Sequence, residues 1–380
     1  MNEPSGTNTA LLPAGGASDL IATKLVVPPP PAGLVVRPRL TALLDDALRR
    51  RVTVLATPPG FGKTTLLSAW LAGQRGIAVA WLALDEHDDD LARFWSYLLA
   101  ALECAQPGST GAAAAVLRSI QAPAPATLAT ALVNALAALP GDLVLVLDDL
   151  HVLTAAPVLA ALVALVEHQP PRLHLVVASR ADPPLPLPRL RARGQFGELR
   201  AADLRFTPEE ASAFLNGAMG LALAPADATA LAERTEGWAA GMQLAALSLR
   251  ARGDAPAVLD SLSRGNHYIL EYLTGEVLDR QPDDLRQFVL CVSVLDRLSA
   301  SLCDAVTGGA NGQRMLLRIR HENLFLQPLD ETGEWYRFHA LFAEALRRRL
   351  REMQPALLPE LHARASDWLE RAGLLEDAVR

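Results

Sequence analysis

The chain has 380 residues, a formal net charge of −7 and a composition that is 51% hydrophobic but only 5% aromatic. A single core is not expected at this length, so two to three domains built mainly from Ala, Leu and Val are predicted, and the acidic balance argues against a broad nucleic-acid-binding face. No apolar run approaches the ~20 residues of a membrane span, and no signal peptide is evident, so we expect a cytoplasmic protein with no membrane partner.

The three cysteines, Cys104, Cys291 and Cys303, are widely spaced. Their spacing fits neither a metal site nor a disulfide framework, and buried reduced thiols are the interpretation that suits a reducing compartment.

The N-terminal region leads to the most informative stretch of the chain. The composition of residues 1–20 predicts a mobile tail. The prolines over 28–31 indicate an extended spacer, and a helix is predicted for the segment TALLDDALRRR that follows. The stretch 51–65, RVTVLATPPGFGKTT, then places a β-branched apolar run before a glycine loop, Lys-Thr and an apolar helix. Strand, loop, Lys-Thr and helix in this order are the context that a phosphate-binding P-loop requires.

The residue types of this loop suit a nucleotide phosphate and Mg²⁺. Gly60 and Gly62 leave room for backbone N–H groups to turn towards phosphate oxygens. Lys63 is expected to reach the β- and γ-phosphates, and Thr64 to offer its hydroxyl to Mg²⁺. The strict motif has glycine where Thr57 stands, so the alternative is a glycine-rich turn before a core helix. The predicted nucleotide-binding residues of the loop are Pro59, Gly60, Phe61, Gly62, Lys63, Thr64 and Thr65.

An acidic cluster follows the next predicted strand, residues 79–84. The run Asp85-Glu86-His87-Asp88-Asp89-Asp90 is either a metal site or, as acidic residues before a helix more often are, a set of helix caps. A loop over 106–125 and a helix over 126–139 are predicted next.

A second phosphate-related motif lies about 85 residues after the P-loop. The run Leu143-Val144-Leu145-Val146-Leu147 is unbroken and apolar, which is typical of a central parallel strand, and Asp148 and Asp149 follow it. Ligands of open α/β sheets bind at this end of the strands. This Walker B pattern predicts that Asp148 holds Mg²⁺ and that Asp149 orients or deprotonates the attacking water.

A third strand, 173–178, ends in Ser179-Arg180. Arg180 either senses the γ-phosphate or pairs with a surface carboxylate. The prolines over 183–188 predict a rigid, non-helical loop, and residues 198–200 are expected to close the sheet. Residues 21–205 therefore predict an α/β P-loop NTPase domain, a parallel sheet with flanking helices.

From residue 206 the pattern becomes helical. A capping box, Thr207-Pro208-Glu209-Glu210, opens a predicted all-α helical domain over 206–281. Short helices and a hairpin over 323–338 predict a winged-helix domain over 282–352. His339 follows the hairpin, and four arginines between 347 and 351 suit either an acidic partner or the carboxyl end of a helix. Residues 353–380 predict the start of a helical-repeat, TPR-like sensor that is expected to continue beyond this chain.

In this order the segments resemble the STAND class of signalling ATPases, in its MalT-like branch of large LuxR-type transcriptional regulators. The segments that carry the resemblance are TPPGFGKTTLLSAW, AWLALDEHDDDLARFWSYLLAAL, LVLVLDDLHVL, LVVASRADPPLPLPRLR, LRFTPEEASAFL, TEGWAAGMQLAALSL, NLFLQPLDETGEWYRFHALFAEALR and DWLERAGLLEDAV. The resemblance implies an ATPase domain, a helical domain, a winged helix, a repeat sensor and a C-terminal helix-turn-helix, of which this chain is expected to lack the last.

The resemblance also implies roles for single residues. Arg180 resembles the sensor-one arginine, and His339 resembles a winged-helix histidine that touches the β-phosphate of ADP in the resting state. A histidine that caps the next helix, or is satisfied in the core, is the alternative for His339. Val36 and Arg37 fall where the family's N-terminal segment packs near the adenine. The family's Gly-x-Pro motif is present as Gly237-Trp238-Ala239, without the proline.

The function that these patterns favour is a nucleotide-driven switch that uses ATP, ADP and Mg²⁺. ADP would hold a resting state, and ATP with an inducer would permit self-association and transcription activation, with slow hydrolysis between the two. The inducer is expected to bind the sensor, and DNA only the helix-turn-helix. A fast-turnover AAA+-like ATPase and a nucleotide-bound scaffold that does not hydrolyse ATP remain as alternatives.

Overall fold

The computed structural model describes residues 20–119, 125–252 and 266–374. The tail predicted over residues 1–20 lies, apart from residue 20, outside this part of the chain, as does the end of the predicted repeat, 375–380. The chain divides into two compact units. The first comprises the segment up to Pro30, Pro38–Ala56 and Lys63–Arg200, and the second comprises Pro31–Arg37, Thr57–Gly62 and Ala201–Arg380.

The first unit is built on a five-stranded parallel sheet. Its strands are β1 (Val52–Ala56), β2 (Ala78–Ala83), β3 (Leu143–Asp148), β4 (Leu173–Ser179) and β5 (Phe196–Arg200). Their spatial order is β2-β3-β4-β1-β5, and every pairing is parallel. Every residue of β1 and β3 is buried, which explains their unbroken apolar runs, because strands inside a parallel sheet are covered on both faces.

The helices of this unit flank the sheet and fill its core with aliphatic side chains. They are α1 (Pro38–Ala47), α2 (Lys63–Gly73), α3 (Leu91–Ala105), α4 (Gly111–Ser119), α5 (Pro125–Ala137), α6 (Ala156–Glu167) and α7 (Leu187–Ala192). The α/β prediction is confirmed. Two local predictions were wrong: α4 lies inside the predicted loop 106–125, where a run of alanines favours helix, and α7 contains Pro188, which is tolerated in a first helical turn.

The acidic cluster after β2 serves the local structure. The Asp90 side chain accepts a hydrogen bond from the Arg93 N–H and caps α3. Asp88 is buried and pairs with the ammonium group of Lys24, which also lies 3.0 Å from an Asp85 oxygen. Among the described residues no group of three or more His, Cys, Asp or Glu side chains is placed to hold a metal ion.

The second unit is mostly helical, as predicted. Its helices are α8 (Ala201–Leu204), α9 (Pro208–Ser212), α10 (Pro225–Arg234), α11 (Ala239–Arg252), α12 (His267–Tyr272), α13 (Asp283–Val292), α14 (Ala300–Thr307), α15 (Gly312–His321), α16 (Ala340–Met353) and α17 (Leu358–Arg371). The predicted capping box opens α9, with reciprocal bonds between Thr207 and Glu210. Two π-helical turns, Ala213–Ala218 and Leu273–Leu278, extend α9 and α12.

A short hairpin interrupts these helices between α15 and α16. Its strands β6 (Leu326–Pro328) and β7 (Tyr336–Phe338) pair antiparallel, and a single bridge joins Leu298 to Tyr336. The hairpin lies where the sequence predicts it. Within the described ranges no helix is both long enough and apolar enough to cross a membrane.

Candidate nucleotide site

In the first unit, the carboxyl end of the sheet brings a hydroxyl and a carboxylate together. Thr64 lies in the first turn of α2, and Asp148 is the last residue of β3. The Thr64 Oγ1 donates a 2.8 Å hydrogen bond to Asp148 Oδ2, although the two residues are 84 positions apart. Asp148 is only 4% exposed. A hydroxyl beside a buried carboxylate is a donor set that suits Mg²⁺, which is commonly bound by carboxylate, hydroxyl and phosphate oxygens in nucleotide sites.

The charges of this cluster are strongly perturbed by burial. Burial, partly offset by Asp149 and Asp148, lowers the pKa of Lys63 to about 8, and the nearby Arg180 adds to the lowering. Burial and the Asp149 charge raise the pKa of Asp148 to about 6, against the Thr64 hydroxyl and Lys63. Burial makes the charged form of an amine and of a carboxylate more costly. An anionic phosphate beside Lys63 and a cation beside Asp148 would relieve both costs.

The other two residues predicted for catalysis lie in the same electrostatic environment. Asp149 has a left-handed backbone, with φ 58°, and its side chain is 45% exposed. Its exposure contrasts with the burial of Asp148. Arg180 directly follows β4, and its charge acts on Lys63. Thr65, the remaining residue predicted at the start of α2, is half-buried.

The loop between β1 and α2 belongs to the second unit up to Gly62. Gly60 and Gly62 have φ values of 77° and 81°, a conformation that favours glycine because a Cβ atom is strained there. The Pro59 carbonyl accepts a 3.0 Å hydrogen bond from Trp238 Nε1, and the Gly60 carbonyl accepts one of 3.0 Å from the Ala240 N–H. Phe61 is buried.

The N-terminal residues predicted near the adenine differ in their surroundings. The Val36 side chain is 75% exposed. The Arg37 guanidinium lies over the Phe206 ring, 4.3 Å from its centroid, and donates hydrogen bonds to Glu210 Oε2 at 3.0 Å and the Leu204 carbonyl at 2.8 Å. In this structure Arg37 therefore fixes the segment Pro31–Arg37 to the start of the helical region.

His339 is buried in the second unit, and both nitrogens of its ring form hydrogen bonds with backbone groups. Its Nδ1 accepts a hydrogen bond from the Leu341 N–H and caps α16, which leaves Nε2–H to donate to the Thr235 carbonyl, 3.1 Å away. Burial lowers the pKa of His339 to about 4, against the attraction of Glu236. The ring is therefore neutral at pH 7. A contact with the β-phosphate of ADP stays a prediction, and it would require the ring to give up the Thr235 carbonyl.

Trp238 contacts the loop and was not among the residues predicted for the site. It is fully buried and lies against the rings of Phe325, Tyr272 and His339, with centroid distances of 5.3, 5.7 and 6.0 Å. The spacing Gly237-Trp238-x-x-Gly241 could have indicated a packed tryptophan, because a glycine stands where a side chain would collide with the indole. A Cβ atom on Gly241 would lie 2.5 Å from Trp238 Cε3. The small residue leaves room for the indole.

Comparisons with known proteins agree on the kind of region that this chain contains. Residues 274–358 match the MalT winged helix domain family. The chain is 39% identical over 360 residues to the serine/threonine-protein kinase PknK of Mycobacterium tuberculosis, with 94% of this chain and 32% of PknK covered. It is 38% identical over 365 residues to the HTH-type transcriptional regulator MalT of Cronobacter sakazakii, with 95% of this chain and 40% of that protein covered.

The chain is therefore MalT-like: it contains a MalT-type winged helix and matches a region that MalT and PknK share. The predicted resemblance and the winged-helix prediction are thus confirmed. The chain spans about a third to two fifths of the length of these curated relatives. The fold is also similar to that of a Walker-type ATPase of Pyrococcus abyssi, with a TM-score of 0.56, 13% identity, and coverage of 85% of this chain and 99% of that one. At that identity the similarity concerns the fold alone.

Proposed function

We propose that this MalT-like chain is a nucleotide-driven switch that binds ATP and ADP with Mg²⁺ and hydrolyses ATP slowly. The observation that carries the proposal is the hydrogen bond between Thr64 and the buried Asp148, beside the buried ammonium of Lys63. These three groups are a hydroxyl, a carboxylate and a cation, which are the groups that a Mg²⁺–nucleotide complex uses in P-loop proteins.

We propose a role for each residue, supported by its position and exposure or, for Val36, Arg37 and His339, by the family resemblance alone. Thr64 and Asp148 would hold Mg²⁺, whose chemistry when bound is to neutralise charge on the phosphate oxygens. Lys63 binds phosphate oxygens. Asp149, the more exposed carboxylate, orients the attacking water or accepts its proton. Arg180 stabilises negative charge on the γ-phosphate. Val36, Arg37 and His339 are proposed to sense the adenine and the β-phosphate.

The output of the switch is proposed to depend on segments attached to this region. One relative is named as a kinase and another as a transcriptional regulator, yet both contain a region that is nearly 40% identical to this chain. A region shared by proteins with such different names suits a regulatory part. We propose transcription regulation in the cytoplasm, with self-association in the ATP state, an inducer bound by a repeat sensor and DNA bound by a separate module.

The binding proposal is tested by titration calorimetry with Mg-ADP and Mg-ATP on the wild type, Lys63→Ala and Arg75→Ala. Arg75 is an exposed cation just after α2, so its variant controls for the loss of a positive charge. We expect Lys63→Ala to weaken binding about tenfold or more, because a charge-assisted hydrogen bond to phosphate is lost. Arg75→Ala should bind as the wild type does. Equal affinities in all three proteins would contradict the proposal.

The rate of hydrolysis separates the switch from the two alternatives. A switch should show one slow round of hydrolysis, after which ADP stays bound. Sustained turnover of many ATP molecules per chain each second would instead indicate a motor-type ATPase. No hydrolysis above the buffer rate, with nucleotide bound, would indicate a scaffold. Quenched-flow measurements on single-turnover and multiple-turnover mixtures distinguish these three results.

A further inference from the structure

We propose that Trp238 is a positioning residue for nucleotide binding, because its indole N–H holds a peptide of the phosphate loop in place. This inference rests on the proposed function, since it concerns how the loop becomes competent to bind phosphate. Trp238, Pro59, Gly60 and Ala240 all lie in the second unit.

Two adjacent peptide groups of the loop are fixed through their carbonyl oxygens. Trp238 Nε1 donates to the Pro59 carbonyl at 3.0 Å, and the Ala240 N–H donates to the Gly60 carbonyl at 3.0 Å. In a trans peptide the N–H points away from the C=O. The two hydrogen bonds therefore turn the N–H groups of Gly60 and Phe61 away from Trp238 and Ala240. Among the backbone–backbone hydrogen bonds of the described residues, neither N–H is a donor.

Backbone N–H groups that project together from a glycine loop are the groups that bind phosphate in a P-loop. An unpaired peptide could rotate about its neighbouring bonds, and binding would then require the loop to be ordered first. A loop that is held from the carbonyl side does not carry that cost. Trp238 thus acts on the phosphate through the Pro59–Gly60 peptide rather than by touching the nucleotide.

Trp238 is itself held firmly enough to have this effect. Its side chain is fully buried. A Cβ atom on Gly60 would lie 2.9 Å from Trp238 Nε1, and one on Gly241 would lie 2.5 Å from Trp238 Cε3, so glycines allow the loop and α11 to approach the indole closely. Phe325 packs edge-on against the indole and is 6.1 Å from the Phe61 ring. Since Phe325 lies within the matched winged-helix region, that region supports the loop through Trp238 and Phe61.

The matched experiment compares Trp238→Phe with Trp95→Phe. Both tryptophans are buried, but within the described residues the Trp95 indole nitrogen has no hydrogen-bond partner. The two variants therefore lose similar core volume, and only Trp238→Phe loses a hydrogen bond to the loop. We expect Mg-ADP to bind about three- to tenfold more weakly to Trp238→Phe than to Trp95→Phe, the range of one neutral hydrogen bond.

A second measurement uses the wild-type chain and does not depend on how the variants fold. The indole ¹H–¹⁵N resonance of Trp238, assigned by triple-resonance spectroscopy, should shift when Mg-ADP is added, while that of Trp95 should not. The shift is expected because the carbonyl that accepts from Trp238 belongs to the peptide whose N–H binds phosphate. A purely structural role for Trp238 would leave this resonance unmoved.

The outcomes separate this inference from the proposed function. If the wild type does not bind Mg-ADP, or if Lys63→Ala binds it equally well, the proposed function fails. If the wild type binds and Lys63→Ala does not, but Trp238→Phe matches Trp95→Phe and the Trp238 resonance is unmoved, the inference alone is overturned.

Discussion

Gly60 and Gly62 share a left-handed backbone, but their surroundings differ. A Cβ atom on Gly60 would lie 2.6 Å from the Ala240 Cβ, whereas one on Gly62 would meet nothing within 4 Å. A left-handed conformation costs roughly 1–2 kcal/mol for a residue with a Cβ, and overpacking a filled space adds about 1–3 kcal/mol. Both glycines carry the first cost, and only Gly60 carries the second.

We therefore predict that Gly60→Ala destabilises the nucleotide-free chain by about 1–3 kcal/mol more than Gly62→Ala does. Urea unfolding followed by circular dichroism measures the difference between the two variants, and each serves as the control for the other. Equal losses of stability would show that Ala240 and Trp238 do not approach the loop as closely as the structure shows.

At the scale of elements, one carboxylate links the turn between α10 and α11 to the hairpin region through hydrogen bonds. Glu236 has φ 47° and accepts hydrogen bonds from Gln327 of β6 at 2.9 Å, Arg337 of β7 at 3.0 Å and the Ala340 N–H of α16 at 3.0 Å. Burial would raise the pKa of Glu236, but His339 and these partners outweigh it and lower the pKa to about 2. The charges that face His339 are Glu236, Arg205 and Arg337.

The two buried groups at this turn predict how stability depends on pH. His339 titrates near pH 4 when folded and near 6.5 when unfolded, so the unfolded chain takes up the proton first as the pH falls. The contribution of His339 to the free energy of unfolding is complete above pH 6.5. It declines by about 3 kcal/mol in all as the pH falls from 6.5 to 4. Glu236 loses its contribution at lower pH, between about 4.5 and 2.

We expect the wild type to lose roughly 2–3 kcal/mol more stability than His339→Asn when the pH falls from 7 to 4.5. Urea unfolding at pH 7 and at pH 4.5 gives the loss of stability for the wild type and for His339→Asn. Glu236→Gln is the control, because the difference in stability between this variant and the wild type should change little between these two pH values. Parallel pH curves for the wild type and His339→Asn would indicate that His339 is not held neutral by burial.

The sequence predicts elements and motifs well where the signal is local. The apolar runs of β1 and β3 and the capping box at Thr207 each depend on neighbours in the chain. The contact between Thr64 and Asp148 follows from the motifs, because parallel strands end at the same edge of the sheet. The helix α4 was missed because its alanines lie between glycines and prolines that indicate a loop.

The remaining contacts could not be predicted because their partners are far apart in sequence. The Trp238 indole needs an acceptor, but nothing local indicates that it is the Pro59 carbonyl, 179 residues away. The same applies to Lys24, whose buried partner Asp88 lies in a cluster that resembles a metal site or a set of caps. The strand order β2-β3-β4-β1-β5 also depends on packing between distant segments.

At the scale of the whole molecule, a switch needs two states that nucleotides distinguish. Moving an equilibrium from 1:99 to 99:1 takes about 5.5 kcal/mol of differential binding, and one hydrogen bond to a charged phosphate supplies roughly 1.5–3 kcal/mol. No single residue therefore accounts for the switch. The proposed contacts of His339 with ADP, and of the loop held by Trp238 with phosphate, would each supply a part of this free energy. In the proposed switch, the rate of hydrolysis would decide how long the ATP state lasts.

We predict that Asp149→Ala keeps nucleotide binding, loses most hydrolysis and therefore accumulates in the ATP state. General base catalysis contributes about 100-fold or more to rates, so after incubation with Mg-ATP and desalting the variant should retain mainly ATP, and the wild type mainly ADP. Chromatography of the released nucleotide measures this, and multi-angle light scattering shows whether the ATP-loaded variant self-associates more. Asp142→Ala is the matched control, because Asp142 is an exposed aspartate at the opposite end of the same strand region. If the nucleotide recovered from Asp149→Ala is mainly ADP, as it is from Asp142→Ala, then Asp149 does not act on the attacking water, and other residues set the lifetime of the ATP state.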